Sequence, residues 1–566
     1  MQAKFLTENI FIINDGDERG FTTGGAVSES GTILIGCDDR LTPDIISGLG
    51  LPGVCAILCC DHRRSSNAGI LNFSGVAKYA GESACELLAR PELWWNNPEN
   101  RWHLYAVTND DDKLARGALN LNKVADGQQI IIGGVKISAL ATPGDTEGSM
   151  SYMLGNIVFC GGLLYKGGKL PYLYRLTQAA PEHGDYHGYL RALPVWQTSL
   201  DTIARADIAV PYLGGVIYDL RADIAAFKQN IGEYYQKYAD ISSMNYYFGG
   251  WLEPGVKVMD WAQEKDLPEY IKYIGDQCYI ICSKSGGAVA IDCGGADMTD
   301  KLLGMIGQGE LKSVDALYIT HYHDDHVDGC DYFRANFDCP IYADKIQADI
   351  LANPSAYRLP CISDVSVDVT PLDDGHSWQW QEFELTSLEF PGQTLYHDAL
   401  LLKNLDSGEL ILFAGDSFTP SGIDDYCAYN RNLMLPGEGF FKCISILREH
   451  NPDYIINQHV MRAFSFTREN LDYMEQNLTE RLDILAKLSP WDDINHALDA
   501  HFIMAHPYEQ DGDDNAEIKL SGGDSGEYIR YEVVPPEQKS GKNIYGVRVY
   551  VGGAYLGQKS CYIVNR

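Results

Sequence analysis

Ala316-Leu317-Tyr318-Ile319-Thr320-His321-Tyr322-His323-Asp324-Asp325-His326 is the stretch on which the reading of this chain turns. Its first residues are apolar or β-forming and predict a buried strand, which stops abruptly at a polar loop. Val327, Cys330 and Phe333 then recur at helical spacing, so a short helix should follow. Residues two apart at a strand end point the same way. His321 and His323 can therefore share one metal ion, while Asp325 and His326, on the next turn, can serve a second.

The same pattern recurs on either side. Gln277 to Ile281 and Ala288 to Ile291 are apolar runs flanking Ser283-Lys284-Ser285-Gly286-Gly287, which reads as a hairpin. Leu410 to Ala414 is a further strand that ends in Gly415-Asp416, and Tyr454-Ile455-Ile456 ends in Asn457-Gln458-His459. Each apolar strand stops at a metal-competent residue, and layered α/β folds bind ligands beyond their strand ends. Asp416 offers a carboxylate that can bridge two ions, and His459 offers another imidazole. Two ions roughly 3.5–4 Å apart can activate one water and clamp a substrate oxygen.

From about Tyr270 to Met461 these residues resemble the metallo-β-lactamase fold superfamily. The likeness rests on the hairpin with Asp292, the H-x-H-x-D-H loop, the Gly-Asp strand end and the final strand-end His. It implies an αββα sandwich with His321 and His323 on metal one. It implies Asp325, His326 and His459 on metal two, with Asp416 bridging. One departure stands out. The family's Pro-Gly-His-Thr is here Pro391-Gly392-Gln393-Thr394. His397 follows four positions later and is expected to replace the missing ligand, because imidazole is the better donor for such metals. The alternative is a weaker metal-one place. Tyr396 and Asp398 read as supporting loop residues.

The first half repeats the layout at an offset of roughly 250 residues, the length of a domain rather than of a solenoid unit. Gly31 with Thr32 to Ile35 matches Gly286 with Gly287 to Ala290, and Gly69 matches Gly329. Thr142-Pro143-Gly144-Asp145-Thr146 matches Phe390 to Thr394, Gly161 matches Gly415, and Leu213 matches His459. The metal-type positions are lost. Asp61, Arg63, Ser65 and Ser66 stand where His321, His323, Asp325 and His326 stand, and Gly162 replaces Asp416. Arg63 carries a permanent charge, Gly162 has no side chain and Leu213 is apolar, so no dinuclear site is expected. His62, a single imidazole in this loop, reads as structural.

From about Asn495 the chain changes character. Tyr528 to Val534 and Tyr545 to Val551 alternate with period two, and Ser560 to Val564 looks like a last strand, so a small β module is expected. The predicted architecture is α/β: two tandem αββα sandwiches and a small all-β, sandwich-like C-terminal domain. The expected domains are 1–240, metal-free; 241–490, catalytic; and 491–566, β.

A chain of 566 residues is too long for one core, which agrees with several domains. A net charge of −34 repels phosphate backbones, so nucleic acid is not an expected partner. No run reaches transmembrane length, so no membrane partner is expected. Met1 to Glu8 lacks an apolar signal core, and the 15 cysteines are odd in number without zinc-ribbon spacing. Both point to reduced thiols in a cytoplasmic protein.

The reading is a metal-dependent hydrolase with two divalent ions, zinc first, manganese or iron compatible. Activated water would attack an ester, lactone, amide or phosphoester bond of a small molecule, with Asp325 orienting the water and Asp416 joining the ions. An iron-dependent, dioxygenase-like oxidoreductase on the same fold and a non-enzymatic binding protein are the rivals. Self-association into a homo-oligomer stays open.

Overall fold

The strand that feeds the H-x-H-x-D-H loop, Ser313–Tyr318, is fourth in a six-stranded mixed sheet and runs parallel to both neighbours. That central place explains its apolar character, because both faces are covered. Leu317 packs towards helices on the outside, and Ala316 and Tyr318 pack into the sandwich. The sheet order is Ile271–Gly275, Cys278–Cys282, Gly287–Ile291, Ser313–Tyr318, Ile341–Asp344, Thr370–Leu372. The expected hairpin is its second and third strands, with Tyr279 opposite Ile291. A seven-stranded sheet lies face to face with it. There Leu410–Phe413 sits between Tyr454–Ile456 and Asp398–Asn404. Ile291, Tyr318, Leu400, Ile411 and Phe413 fill the space between the two sheets.

The structure is a computed structural model. It describes residues 1–16, 20–91, 117–171, 192–247, 257–352, 361–394, 396–424 and 439–490, three strands between 529 and 561, and a few single positions.

The single helix expected after His326 is two, Asp324–Val327 and Cys330–Asn336. The break falls at Gly329, where a Cβ would come within 2.5 Å of the Gly295 carbonyl oxygen, so the chain turns in close contact with the neighbouring loop.

The first half has the same order of elements. One sheet runs Ile10–Asn14, Thr23–Ser28, Gly31–Ile35, Val54–Leu58, Ala77–Gly81, Leu121–Val124, with Gln2–Phe5 added at its edge. The other runs Ile208–Pro211, Ile157–Gly161, Met150–Leu154, Val135–Ala141, Gln129–Ile132. A long closing helix ends each half, Leu220–Asp240 and Arg468–Leu488, and the two pack together. Arg481, 1% exposed, lies 5.0 Å from the Tyr238 ring and 5.3 Å from the Tyr234 ring. The inner helical layers of the halves merge into one core, with Trp196, Phe227 and Tyr234 joined to Phe440, Met474 and Leu485.

The C-terminal strands are Ile529–Lys539, Lys542–Val551 and Ala554–Cys561, a single antiparallel meander. The expected sandwich needs a second layer, and among the described residues there is only this sheet. The first strand runs past Val534 through Pro535-Pro536, with a register shift there. Proline cannot donate to a ladder, and a bulge absorbs the gap. The last described strand holds Ser560 and Cys561 of the expected one, and Tyr562 to Val564 lie outside the described residues. His496, His501 and His506 fall outside the described residues.

Candidate metal centre

The loops after three strands converge at one end of the sandwich. Thr320 leaves Ser313–Tyr318 and turns into His321. Gly415 leaves Leu410–Phe413 with φ +52°, where a Cβ would come 2.3 Å from His397 Cε1, so the chain can present Asp416 only through a glycine. His459 follows Tyr454–Ile456, and its backbone N–H donates to Asn457 Oδ1 at 2.7 Å.

Among the described residues two clusters of metal-type donors form, and both are here. Asp325, His326, Asp416 and His459 make one, and His321, His323 and Asp416 make the other, with ligand atoms within 4.8 Å of one another in each. Asp416 belongs to both. Its Oδ2 lies 3.1 Å from His459 Nε2, 3.3 Å from His326 Nε2 and 3.8 Å from His321 Nε2. Asp325 Oδ2 lies 3.1 Å from His459 Nε2. The side chains of His321, His326 and Asp416 are buried, while Asp325 and His459 keep part of theirs in solvent. The cluster is therefore open on the Asp325–His459 side.

His397 joins neither cluster. Its backbone forms a β-bridge with His321, and its ring stacks on that of His321 at 4.6 Å and 21°. Its Nε2 lies 3.4 Å from Ser417 Oγ. The bridge sets the main chain of His397 beside that of His321, its ring lies outside both donor clusters, and its Nδ1 is buried without a hydrogen bond. Gln393 reaches the site instead, with Nε2 donating to Asp416 Oδ2 at 3.1 Å. Asp398 supports the floor, accepting from Asp344 N–H and Gln347 Nε2, both at 2.6 Å.

Two supports were not assigned from the sequence. Asp292, at the end of Gly287–Ile291 with φ +60°, accepts from Thr320 N–H at 2.7 Å and Thr320 Oγ1 at 2.8 Å. It also lies 3.1 Å from His326 Nδ1. A carboxylate on one imidazole nitrogen turns the other, here Nε2, towards a metal. Asp292 was visible as a landmark, but its pairing with a residue 34 positions away was not. Tyr247, from the segment that joins the halves, meets the His459 ring edge-on at 6.4 Å, and its hydroxyl donates to Asp424 Oδ2 at 3.4 Å.

The charge balance calls for cations. Burial would disfavour a charged His326, yet the carboxylates of Asp416, Asp325 and Asp292 outweigh it and hold the proton on well above the usual range. Burial likewise opposes a charge on His459, but Asp416 and Asp325 push it up to about 10. His321, His323 and His397 go the other way. Burial, with neighbouring imidazoles, lowers His321, burial brings His323 down to about 4, and burial brings His397 down to about 3. The site thus holds neutral imidazole donors beside carboxylates that draw positive charge. His326 Nε2 and Asp416 Oδ1 are buried and have no hydrogen-bond partner. Buried donor atoms without hydrogen bonds, in clusters whose ligand atoms lie within 4.8 Å of one another, fit divalent ions.

Residues 276–424 match the family described as the metallo-β-lactamase superfamily. The second half of the chain carries the metallo-β-lactamase fold. A hydroxyacylglutathione hydrolase of Bdellovibrio bacteriovorus is 27% identical over 236 residues, which are 39% of this chain and 84% of that protein. Solved structures are similar at lower identity. The Rm3 metallo-β-lactamase is 20% identical over 41% of this chain and 92% of its own, with a TM-score of 0.32. A Cronobacter sakazakii metallo-β-lactamase with a HARLDQ motif is 17% identical over 40% and 96%, with a TM-score of 0.31. A metallo-β-lactamase family protein of Thermus thermophilus is 16% identical over 41% and 81%, with a TM-score of 0.31. The metallo-β-lactamase match begins in the hairpin before Asp292 and ends at Asp424, so it holds the donors up to Asp416 and leaves His459 beyond it. In the first half, among the described residues, no cluster of three such donors forms. No described helix is long and apolar enough to cross a membrane.

Proposed function

We propose that the chain is a metal-dependent hydrolase acting on a carbonyl ester or thioester of a small molecule, with the catalytic unit in residues 241–490 and residues 1–240 as a metal-free copy. The observation that carries this reading is Asp416, whose carboxylate is shared by two converging donor clusters. His321 and His323 would hold one ion; Asp325, His326 and His459 would hold the other; Asp416 would join them. When bound, such ions supply a water that is nucleophilic at neutral pH and a clamp on the substrate oxygen. The chain's residues do the rest. Asp325 stands on the open side, where it orients the attacking water and receives its proton. Asp292 holds His326 in the one orientation that serves the site. Tyr247 walls the mouth beside His459 and limits what can approach. The thioester preference leans on the hydroxyacylglutathione hydrolase relative, and the acidic surface turns large polyanions away.

The experiment is a substrate panel of small thioesters, esters, lactones, amides and phosphodiesters, run on metal-replete and chelator-treated protein. Thioester or ester turnover that chelation removes and zinc or manganese restores is expected. Turnover indifferent to chelation, or oxygen uptake in its place with iron, would overturn the reading.

A further inference from the structure

We propose that the two metal places are unequal and fill in order: the Asp325–His326–Asp416–His459 place first, and the His321–His323–Asp416 place second and more weakly. The inference rests on the proposed metal site and concerns only how it loads. Three observations carry it. The first place has four protein donors, two of them carboxylates; the second has three, and its single carboxylate is shared. Gln393 stands where an imidazole would complete the second place, and its carboxamide donates to Asp416 Oδ2 at 3.1 Å, the oxygen closest to His326 and His459. His397, the one imidazole near enough to compensate, stacks on the His321 ring, lies next to Ser417 and joins neither cluster.

The chemistry follows from these positions. A neutral carboxamide is a far poorer donor to zinc-type ions than imidazole. The first cation also neutralises the charge of Asp325 and Asp416, so the second enters a site that no longer carries their negative charge and faces a divalent ion at short range in a buried setting. The loop cannot easily rearrange to help. Gln393 N–H donates to Ser417 Oγ at 3.3 Å, and a Cβ on Gly392 would come 2.2 Å from that oxygen, so the backbone is pressed onto the Gly415–Ser417 turn.

The test is calorimetric titration of metal-stripped, full-length protein with zinc, with a chromophoric chelator as competitor. Two resolved steps are expected, the first at least about 100-fold tighter than the second. His459→Ala should remove the tight step, and His323→Ala should remove only the weak one. Gln393→His should tighten the second step by about tenfold or more, and His397→Ala should leave both steps in place. Two steps of equal affinity in the wild type would overturn the inference while leaving the proposed function intact. Loss of the weak step in His397→Ala would also overturn it, because His397 would then be the missing donor. Should Gln393→His fail to fold, the wild-type isotherm with His323→Ala and His459→Ala decides the question alone. Failure to bind zinc at all would instead sink the proposed function.

Discussion

In the loop 61–69 Arg63 caps a short helix with φ −69° and ψ 146°; in the loop 321–329 His323 does so with φ −62° and ψ 148°. The backbone contacts agree as well. Cys37 N–H donates to the Ser66 carbonyl at 2.8 Å, as Cys293 N–H does to that of His326. Gly69 N–H donates to Cys37 at 3.0 Å, and Gly329 N–H to Cys293 at 2.9 Å. The side chains diverge completely. Arg63 is buried, its Nη2 donates to the Asp145 carbonyl at 2.9 Å, and its Nε lies 3.8 Å from Asp145 Oδ1. Asp61 Oδ1 accepts from Arg63 N–H, Ser66 Oγ and Asn67 Nδ2 at 2.8, 2.6 and 2.9 Å. A Cβ on Gly162 would sit 2.5 Å from Asp145 Oδ2 and 2.6 Å from Tyr212, so the room of the bridging carboxylate is taken. The loop is thus held by glycines and main-chain bonds that do not depend on the chemistry it carries. The first half meets its buried carboxylates with a guanidinium, and the second sets its own among imidazoles.

If that contrast is right, the heaviest loss follows from the shared donor. Asp416→Ala breaks both clusters, so metal content should fall from about two ions per chain to nearly none. Turnover should fall by about 100-fold or more, by analogy with changes one layer further out. Elemental analysis beside activity checks this, and a variant that keeps two ions would remove Asp416 from the centre. Arg63→Met is the mirror experiment in the first half. It leaves Asp145 and Asp61 buried without their cation, and should cost about 3–5 kcal/mol in urea unfolding. Metal content in the folded variant should not change. A neutral effect would mean that Arg63 does not stand in for a cation. Asp292→Ala should be milder, loosening His326 and weakening the first zinc step by about 10–100-fold. A competition titration reads that shift, and an unchanged first step would show that His326 is held by other contacts.

Much of this was readable in the residues, and the gaps have physical causes. The hairpin around Ser283 to Gly287, the strands that end two residues before Thr320 and Gly415 and at Ile456, and the loss of donors in the first half all depend on local sequence, which is read directly. The choice between Gln393 and His397 was not readable. Ligand chemistry favours the imidazole, but the structure brings Gln393 to Asp416 and stacks the His397 ring on His321, a pairing of residues 76 positions apart. Tyr247 meets His459 across more than 200 positions, a contact that no local pattern signals. The merged core of Trp196, Tyr234, Phe440 and Leu485 unites residues nearly 300 positions apart, and no periodicity encodes such a pairing. The first two C-terminal strands were placed by alternation, but the first runs on past Val534 through Pro535-Pro536 to Lys539, with a register shift at the prolines.

The smallest effect belongs to Asp61, and its sign distinguishes the halves. Burial, reinforced by the nearby charge of Asp145, raises its carboxyl from 3.8 to about 6. The folded protein therefore holds a proton between about pH 4 and pH 6 that the unfolded chain has released. Stability from this group is fully present below the unfolded value and is lost as pH rises through the folded one. Asp61→Asn keeps an oxygen for the three donors and removes the titration. The stability of the variant minus that of the wild type should thus grow by about 1–2 kcal/mol from pH 4 to pH 6. Groups common to both proteins, the histidines of the second half included, cancel in the difference. Denaturant unfolding at half-unit pH steps, on metal-stripped protein, measures it. A flat difference would mean that Arg63 neutralises Asp61 as fully as an ion would, and a falling one would place its pKa below the ordinary value. Either result would show the guanidinium to be a closer partner of these buried carboxylates than its 3.8 Å separation from Asp145 implies.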